Sequence, residues 1–152
     1  MKTISTFLCL LFVFSCLAQA ANVKKENCSS FYDTLKGVPH KTLVLSSGEH
    51  ESVWDGTKYF GCEVKLVTNN ALLSGYGAVP GFHATEETDM YRNGWRMNNS
   101  YIADGPGSGT IGIERGGILC LILRDQPAEL DEKTSEIIQS ETLTMIVQCR
   151  QK

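Results

Sequence analysis

The sequence has little of what most catalytic and metal-binding sites are built from. It contains only three histidines, and no two of its cysteines stand in a C-x-x-C pair. It also lacks G-x-S-x-G, the motif that presents a nucleophilic serine in many hydrolases, and the Gly-Lys-Ser/Thr ending of a phosphate-binding loop. We therefore expect no cofactor, no metal ion and no catalytic residue that a motif would identify.

Long hydrophobic runs and blocks of basic residues are missing from the chain beyond residue 20. The whole sequence carries 17 acidic and 14 basic side chains, a net charge of −3. Such a mildly acidic balance gives no positive field to attract nucleic acid. A transmembrane helix takes about 20 consecutive apolar residues, so we expect neither a nucleic-acid partner nor a transmembrane segment in the mature chain.

The first twenty residues are typical of a cleavable secretory signal. A basic start precedes the apolar run Phe7–Phe14, and the motif Ala18-Gln19-Ala20 places small residues where signal peptidase requires them. We predict a signal peptide at 1–20, a single domain at 21–152, and a secreted or periplasmic protein. A lipid anchor through Cys16 is the alternative, because the residues before it partly resemble a bacterial lipobox.

Four cysteines remain once the signal is removed: Cys28, Cys62, Cys120 and Cys149. An even number in an exported chain predicts two disulfides, and their wide spacing argues against a zinc site. Three pairings are possible. We favour Cys62 with Cys120, which both lie in apolar strand-like runs, and Cys28 with Cys149, which would join the two ends of the domain.

The apolar pattern of the mature chain predicts an α+β fold. Apolar residues recur at steps of three and four from Cys28 to Val38, which indicates an amphipathic helix over Ser29–Lys36. Two-residue alternation in Lys58–Thr68 and Thr142–Gln148 is typical of half-buried strands. We expect the N-terminal helix to pack on a meandering antiparallel sheet of about five strands, stabilised by disulfides.

Glycine pairs and polar stretches mark the turns between these elements. Asp55-Gly56 predicts one hairpin, and Gly116-Gly117 predicts another, between two apolar runs. The middle third, 69–109, is rich in glycine and gives no clear periodicity. In the polar connection that follows the second hairpin, Pro127–Glu132 is predicted as a short helix.

Aromatic residues in the turns and polar segments are the main candidates for a binding surface. Tyrosine and tryptophan combine a large rigid apolar area with one polar atom, which suits recognition of proteins and glycans. The candidate binding residues are Trp54, Tyr91, Arg92, Trp95, Arg96 and Tyr101. The alternative is that the two tryptophans fill a small core beneath long loops.

These observations favour an exported, disulfide-bonded binding module without catalytic activity, such as an inhibitor, an immunity-type protein or an envelope accessory protein. Its partner would be another protein or a glycan. One alternative is a small secreted hydrolase that uses Asp104 or Glu114 with a nearby histidine. These two carboxylates and Asp89 are the ones expected to lie near the glycine-rich loop. Another is a metal-handling or structural envelope protein, for which His83 and Glu86 are candidate ligands.

Overall fold

The structure is a computed structural model that describes residues 27–69, 94–105 and 107–152. Within them the chain forms one short helix, α1 (residues 27–35), and eight strands, in broad agreement with an α+β fold. No helix in this part of the chain is long and apolar enough to cross a membrane. The strands are β1 (Thr42–Glu51), β2 (Lys58–Thr68), β3 (Arg96–Gly105), β4 (Ser108–Arg115), β5 (Ile118–Asp125), β6 (Ala128–Leu130), β7 (Ile137–Gln139) and β8 (Leu143–Gln151).

Several predictions lie outside the described residues. They concern the signal cleavage site, the lipid anchor and five of the candidate functional residues. These positions are Ala20, Cys16, His83, Glu86, Asp89, Tyr91 and Arg92.

Six strands form one antiparallel sheet in the order β1-β2-β8-β5-β4-β3, and β6 and β7 form a separate two-stranded sheet. The larger sheet therefore has six strands rather than about five, and it is not a simple meander because the last strand lies between β2 and β5. β3 has no counterpart in the predicted strands. It is exposed along most of its length, so its sequence lacks the alternation that marks a half-buried strand.

Helix α1 packs on one face of the large sheet, through the apolar positions that predicted it. It begins two residues before the predicted start and places Phe31 and Leu35 in the core. Burying an apolar side chain of this size contributes about 1.5–3 kcal/mol. The other buried members of this core are Cys28, Val38, Cys62, Val64, Leu66, Trp95, Ile113, Cys120, Ile122, Leu143, Met145, Val147 and Cys149.

The two disulfides join Cys28 to Cys62 and Cys120 to Cys149. Two bridges are thus confirmed, but the favoured pairing was wrong. Cys149 on β8 lies directly opposite both Cys62 on β2 and Cys120 on β5. β8 therefore separates Cys62 from Cys120 by two strand spacings, about 9.6 Å, which exceeds the roughly 7 Å that a disulfide spans between Cα atoms.

Both turns predicted from glycine pairs are present. Gly116 and Gly117 join β4 to β5 with φ of 55° and 79°, the left-handed values that a tight two-residue hairpin requires at both positions. Asp55 and Gly56 lie in the connection between β1 and β2, where Gly56 also has a positive φ of 69°. This connection begins earlier than the sequence indicates, because β1 ends at Glu51 and Trp54 belongs to the turn.

The short helix predicted over Pro127–Glu132 is wrong, because the middle of this stretch, Ala128–Leu130, forms strand β6. Leu130 on β6 pairs with Ile137 on β7, so the segment has a partner strand that a local helical pattern does not reveal. The turn between them is fixed by Asp131, whose carboxylate accepts a hydrogen bond of 2.8 Å from the Lys133 amide. Aspartate stabilises turns in this way in preference to helix interiors.

Candidate binding surface

The connection between β1 and β2, residues 52–57, folds across the face of the sheet opposite helix α1. Gln148 on β8 holds it there: its Nε2 donates to the Glu51 carbonyl and its Oε1 accepts from the Val53 amide, both at 2.8 Å. The same Nε2 donates to Glu63 Oε2, also at 2.8 Å. Because Gln148 alternates with core residues, its side chain points away from the helix. These bonds join the connection to β8, although β2 lies between β8 and β1 in the sheet.

Hydrogen bonds within the connection fix its shape. The Ser52 amide donates to the Thr57 carbonyl at 2.9 Å, and the Gly56 amide donates to the Ser52 carbonyl at 3.0 Å. The Asp55 carboxylate accepts from the hydroxyl and the amide of Thr57 at 2.7 and 3.1 Å, and these bonds lower the pKa of Asp55. The Trp54 amide donates to the Ser52 hydroxyl. Trp54 therefore lies on a turn whose backbone conformation is fixed by hydrogen bonds.

Trp54 meets Tyr101 of β3 edge to face, with ring centroids 5.5 Å apart and planes at 72°. β8, β5 and β4 lie between β2 and β3, a distance of about 19 Å in a flat sheet. The contact therefore requires the sheet to curl and the connection to fold over it. The Trp54 side chain stays 37% exposed. Two of the predicted binding residues are thus brought together at the surface.

Tyr101 lies over Gly112 of β4. A Cβ atom at Gly112 would be 2.6 Å from the Cβ of Tyr101, closer than such atoms approach. The register between β3 and β4 is irregular between Asn98 and Ala103, and bulges of this kind re-aim side chains beside functional sites. Because Gly112 has no Cβ atom, Tyr101 can lie directly above it.

A polar strip continues from this aromatic pair along β3 and β4. Asn98 pairs with Gly112 in the register, and its Nδ2 donates to Glu114 Oε2 at 2.9 Å. The same oxygen accepts a short hydrogen bond from Lys152 Nζ. The Lys152 bond first, and then the Asn98 bond, lower the pKa of Glu114. Arg96, another predicted binding residue, is exposed and lies opposite Glu114.

The placement of Glu114 bears on the hydrolase alternative. A carboxylate with a lowered pKa is ionised at neutral pH and is a poor general acid. Its hydrogen bonds go to Asn98 and Lys152, whereas His50 contacts Tyr59 and Glu63. The described residues therefore show no contact between Glu114 and a histidine. The hydrolase stays a prediction that this geometry does not favour.

Trp95 occupies a different environment from Trp54. It is 5% exposed and packs against Phe31 of helix α1, with ring centroids 5.8 Å apart. The Arg115 guanidinium lies 4.5 Å from its ring centroid and donates to Asn27 Oδ1 at 3.2 Å. Trp95 therefore belongs to the core. The contribution of Tyr91 and Arg92 to the binding surface stays a prediction.

His50 and Tyr59 form a partly buried polar pair on the face opposite helix α1. Their ring centroids are 5.7 Å apart, and His50 Nδ1 lies 4.0 Å from Glu63 Oε2. Within the described chain, neither His50 Nε2 nor the Tyr59 hydroxyl has a hydrogen-bond partner, although both atoms are buried. Burial first, and then the Glu63 charge, raise the pKa of Tyr59. The phenol therefore stays neutral.

Metal binding finds little support among the residues that the structure describes. The one group of histidine, cysteine or acidic side chains close enough to share an ion there is Cys28, Cys62 and Cys149, whose sulfurs lie within 4.8 Å of one another. All three sulfurs are already bonded in disulfides. His40 is separate from them, with its Nδ1 2.6 Å from the Val38 carbonyl oxygen.

No protein-family model, curated protein or solved structure matches this chain. Sequence reasoning missed Gln148 and Gly112, which position Trp54 and Tyr101. For Gln148 the available signal was a glutamine in a predicted strand, but its hydrogen-bond partners lie more than 80 residues away in the chain.

Proposed function

We propose that this chain is an exported binding module that recognises a partner protein through a surface centred on Trp54 and Tyr101. The observation that carries the proposal is the partly exposed Trp54 ring, packed on Tyr101 and supported by a hydrogen-bonded connection. Tryptophan and tyrosine are enriched among the residues that dominate protein-interface affinity. A side chain already held in place loses less conformational entropy on binding than a free one.

The polar strip beside the aromatic pair suits the rim of such an interface. Arg96 and Asn98 offer hydrogen-bond donors, and Glu114 offers an ionised carboxylate. Protein interfaces commonly surround buried aromatic residues with polar groups of this kind. An inhibitor, an immunity-type protein or an envelope accessory protein would use this surface without performing chemistry.

Export is the second part of the proposal. It is supported by the signal-like pattern of residues 1–20 and by the two disulfides, which persist in oxidising compartments. Under this proposal the mature protein begins at Ala21 and acts outside the cytosol. Mass spectrometry of the secreted chain tests it: a diacylglyceryl group on Cys16 would contradict cleavage after Ala20.

The binding surface is tested by capture with matched variants. Wild-type protein, Trp54→Ala, Tyr101→Ala and a control, Phe60→Ala, are immobilised and exposed to the secreted or periplasmic fraction of the source. Phe60 is an aromatic residue, 60% exposed, that alternates onto the other face of the sheet. We expect wild type and Phe60→Ala to retain the same protein, and the other two variants to lose it.

Two outcomes would contradict this proposal. Failure of the wild type to retain any protein would argue against a binding module with a protein partner. Equal capture by Trp54→Ala would place the interface elsewhere. A glycan array run with the same four proteins separates the remaining alternative, because Trp54-dependent retention of a glycan would replace the protein partner with a carbohydrate.

A further inference from the structure

The β6–β7 hairpin stands apart from the six-stranded sheet and is firmly held at its base. Its strands pair with each other only, among the residues that the structure describes. The Gln126 amide donates to the Gly107 carbonyl at 2.6 Å, and Gln126 Nε2 donates to the Ser140 carbonyl at 2.8 Å. The Ser140 amide donates to the Pro127 carbonyl at 2.7 Å. The first bond connects the hairpin to the turn between β3 and β4, and the other two close the base of the hairpin.

The tip of the hairpin is equally ordered. The Asp131 amide donates to the Glu136 carbonyl at 2.9 Å, and the Ser135 amide donates to the Asp131 carbonyl at 2.8 Å. Ser135 has a positive φ of 57°, a conformation that non-glycine residues adopt mainly in tight turns. The hairpin is therefore a built element with a fixed shape.

Three large aliphatic side chains of this hairpin face solvent. Leu130 is 63% exposed, Ile137 is 61% exposed and Ile138 is 57% exposed. Leu130 and Ile137 lie directly opposite each other on one face, and Ile138 lies opposite Glu129 on the other. A two-stranded sheet this short is marginal in water without something packed against it. Clustered exposed apolar side chains commonly mark a site of interaction.

The hairpin also concentrates the negative charge of the protein. Residues 126–142, which lie between β5 and β8, carry five acidic side chains and one basic one, whereas the other residues of the sequence carry twelve acidic and thirteen basic side chains. The excess of negative charge is therefore confined to this segment. The five acidic residues are Glu129, Asp131, Glu132, Glu136 and Glu141.

We infer that the β6–β7 hairpin is a second docking surface, and that it takes a segment of a partner protein in which lysine or arginine alternates with aliphatic side chains. The aliphatic residues would cover Leu130 and Ile137, which share one face of the hairpin, and the basic residues would pair with the carboxylates of residues 126–142. Anionic lipid is disfavoured as the occupant because the same carboxylates repel it. The inference does not depend on the Trp54 surface.

Isothermal titration calorimetry with defined peptides tests this inference. The probe is a fifteen-residue peptide in which lysine and leucine alternate. In the control peptide, every lysine is replaced with glutamate. We expect the basic peptide to bind, and to bind more weakly as salt is added, because exposed charges are screened. Two hairpin variants, Ile137→Ser with Ile138→Ser, and Glu129→Gln with Glu132→Gln and Glu136→Gln, should each weaken binding at least about tenfold.

Matched variants away from the hairpin control for non-specific effects. Val44→Ser removes an exposed aliphatic side chain from β1, and Asp104→Asn removes an exposed carboxylate from β3. Both should bind the basic peptide within about twofold of wild type, as should Trp54→Ala, since surface substitutions away from an interface have small effects. The hairpin variants, Val44→Ser and Asp104→Asn should keep the wild-type melting temperature.

Four results would overturn the inference. The first is that the basic peptide does not bind at about 1 mM, a concentration that corresponds to weak affinity. The second is that hairpin and control variants bind it equally. The third is binding of the glutamate peptide, and the fourth is hairpin-dependent binding to vesicles of phosphatidylcholine with phosphatidylserine. Sedimentation of the protein alone supplies a fifth. A dimer that the Ile137→Ser/Ile138→Ser variant abolishes would make a second copy of this chain the occupant.

Discussion

Replacing Gln148 with leucine removes three hydrogen bonds from a side chain that is 3% exposed. The carbonyl of Glu51, the amide of Val53 and the Glu63 carboxylate each lose a partner. At about 1 kcal/mol net for each bond, the loss is about 3 kcal/mol. Domains of this size have unfolding free energies of about 5–15 kcal/mol, so this loss is a large fraction of the total. We expect the melting temperature to fall by roughly 10 °C.

The same substitution should release Trp54 as well as destabilise the fold. Without the Gln148 bonds, the connection at 52–57 is no longer tied to β8, and the Trp54 ring becomes more accessible. Acrylamide quenching measures this accessibility in a Trp95→Phe background, which leaves Trp54 as the single tryptophan. We expect stronger quenching and a weaker near-ultraviolet circular dichroism signal.

Gln126→Leu is the matched control. Gln126 is also a buried glutamine, but its side chain donates one hydrogen bond, to the Ser140 carbonyl at the base of the β6–β7 hairpin. Its loss should cost about 1 kcal/mol and leave Trp54 quenching unchanged. If Gln148→Leu lowered the melting temperature no more than this control, and quenching were the same in both, the role assigned to Gln148 would be refuted.

Three further substitutions test neighbouring contacts. Gly112→Ala should displace Tyr101 and destabilise the protein by about 1–3 kcal/mol, measured by urea unfolding; wild-type stability would contradict the close packing. Tyr59→Phe removes a buried hydroxyl without a partner in the described chain, so the melting temperature should stay the same or rise, and a clear fall would show that the hydroxyl is bonded. Because the folded-state pKa of Glu114 is below 4.5, the stabilisation from its contacts is present above pH 4.5 and is lost as pH falls through the folded-state value. Lys152→Gln should raise the Glu114 midpoint in an NMR titration, and an unchanged midpoint would refute the contact.

The parts of the fold that were predicted depend on local patterns. The alternation in Thr142–Gln148 and the Gly116-Gly117 turn each specify a structure from a few neighbouring residues, and both are present. The helix pattern from Cys28 to Val38 is local in the same sense. The number of disulfides followed from the compartment and the count of cysteines.

The parts that were missed depend on how distant segments meet. The pairing of Cys120 with Cys149 follows from the insertion of β8 between β2 and β5, which no local pattern encodes. Trp54 and Trp95 look alike in the sequence, yet one lies on the turn that Gln148 holds and the other lies against Phe31 in the core. Burial of an aromatic residue is set by tertiary contacts of this kind.

The proposed function requires that Trp54 contribute mainly to binding rather than to the core. The most direct test measures the affinity of wild type and Trp54→Ala for the purified partner, together with the melting temperature of each. We predict an affinity loss of about 30-fold, equivalent to about 2 kcal/mol, with only a few degrees lost in melting temperature, because the edge-to-face contact with Tyr101 contributes about 1 kcal/mol. Unchanged affinity with a large loss of stability would show instead that Trp54 belongs to the core.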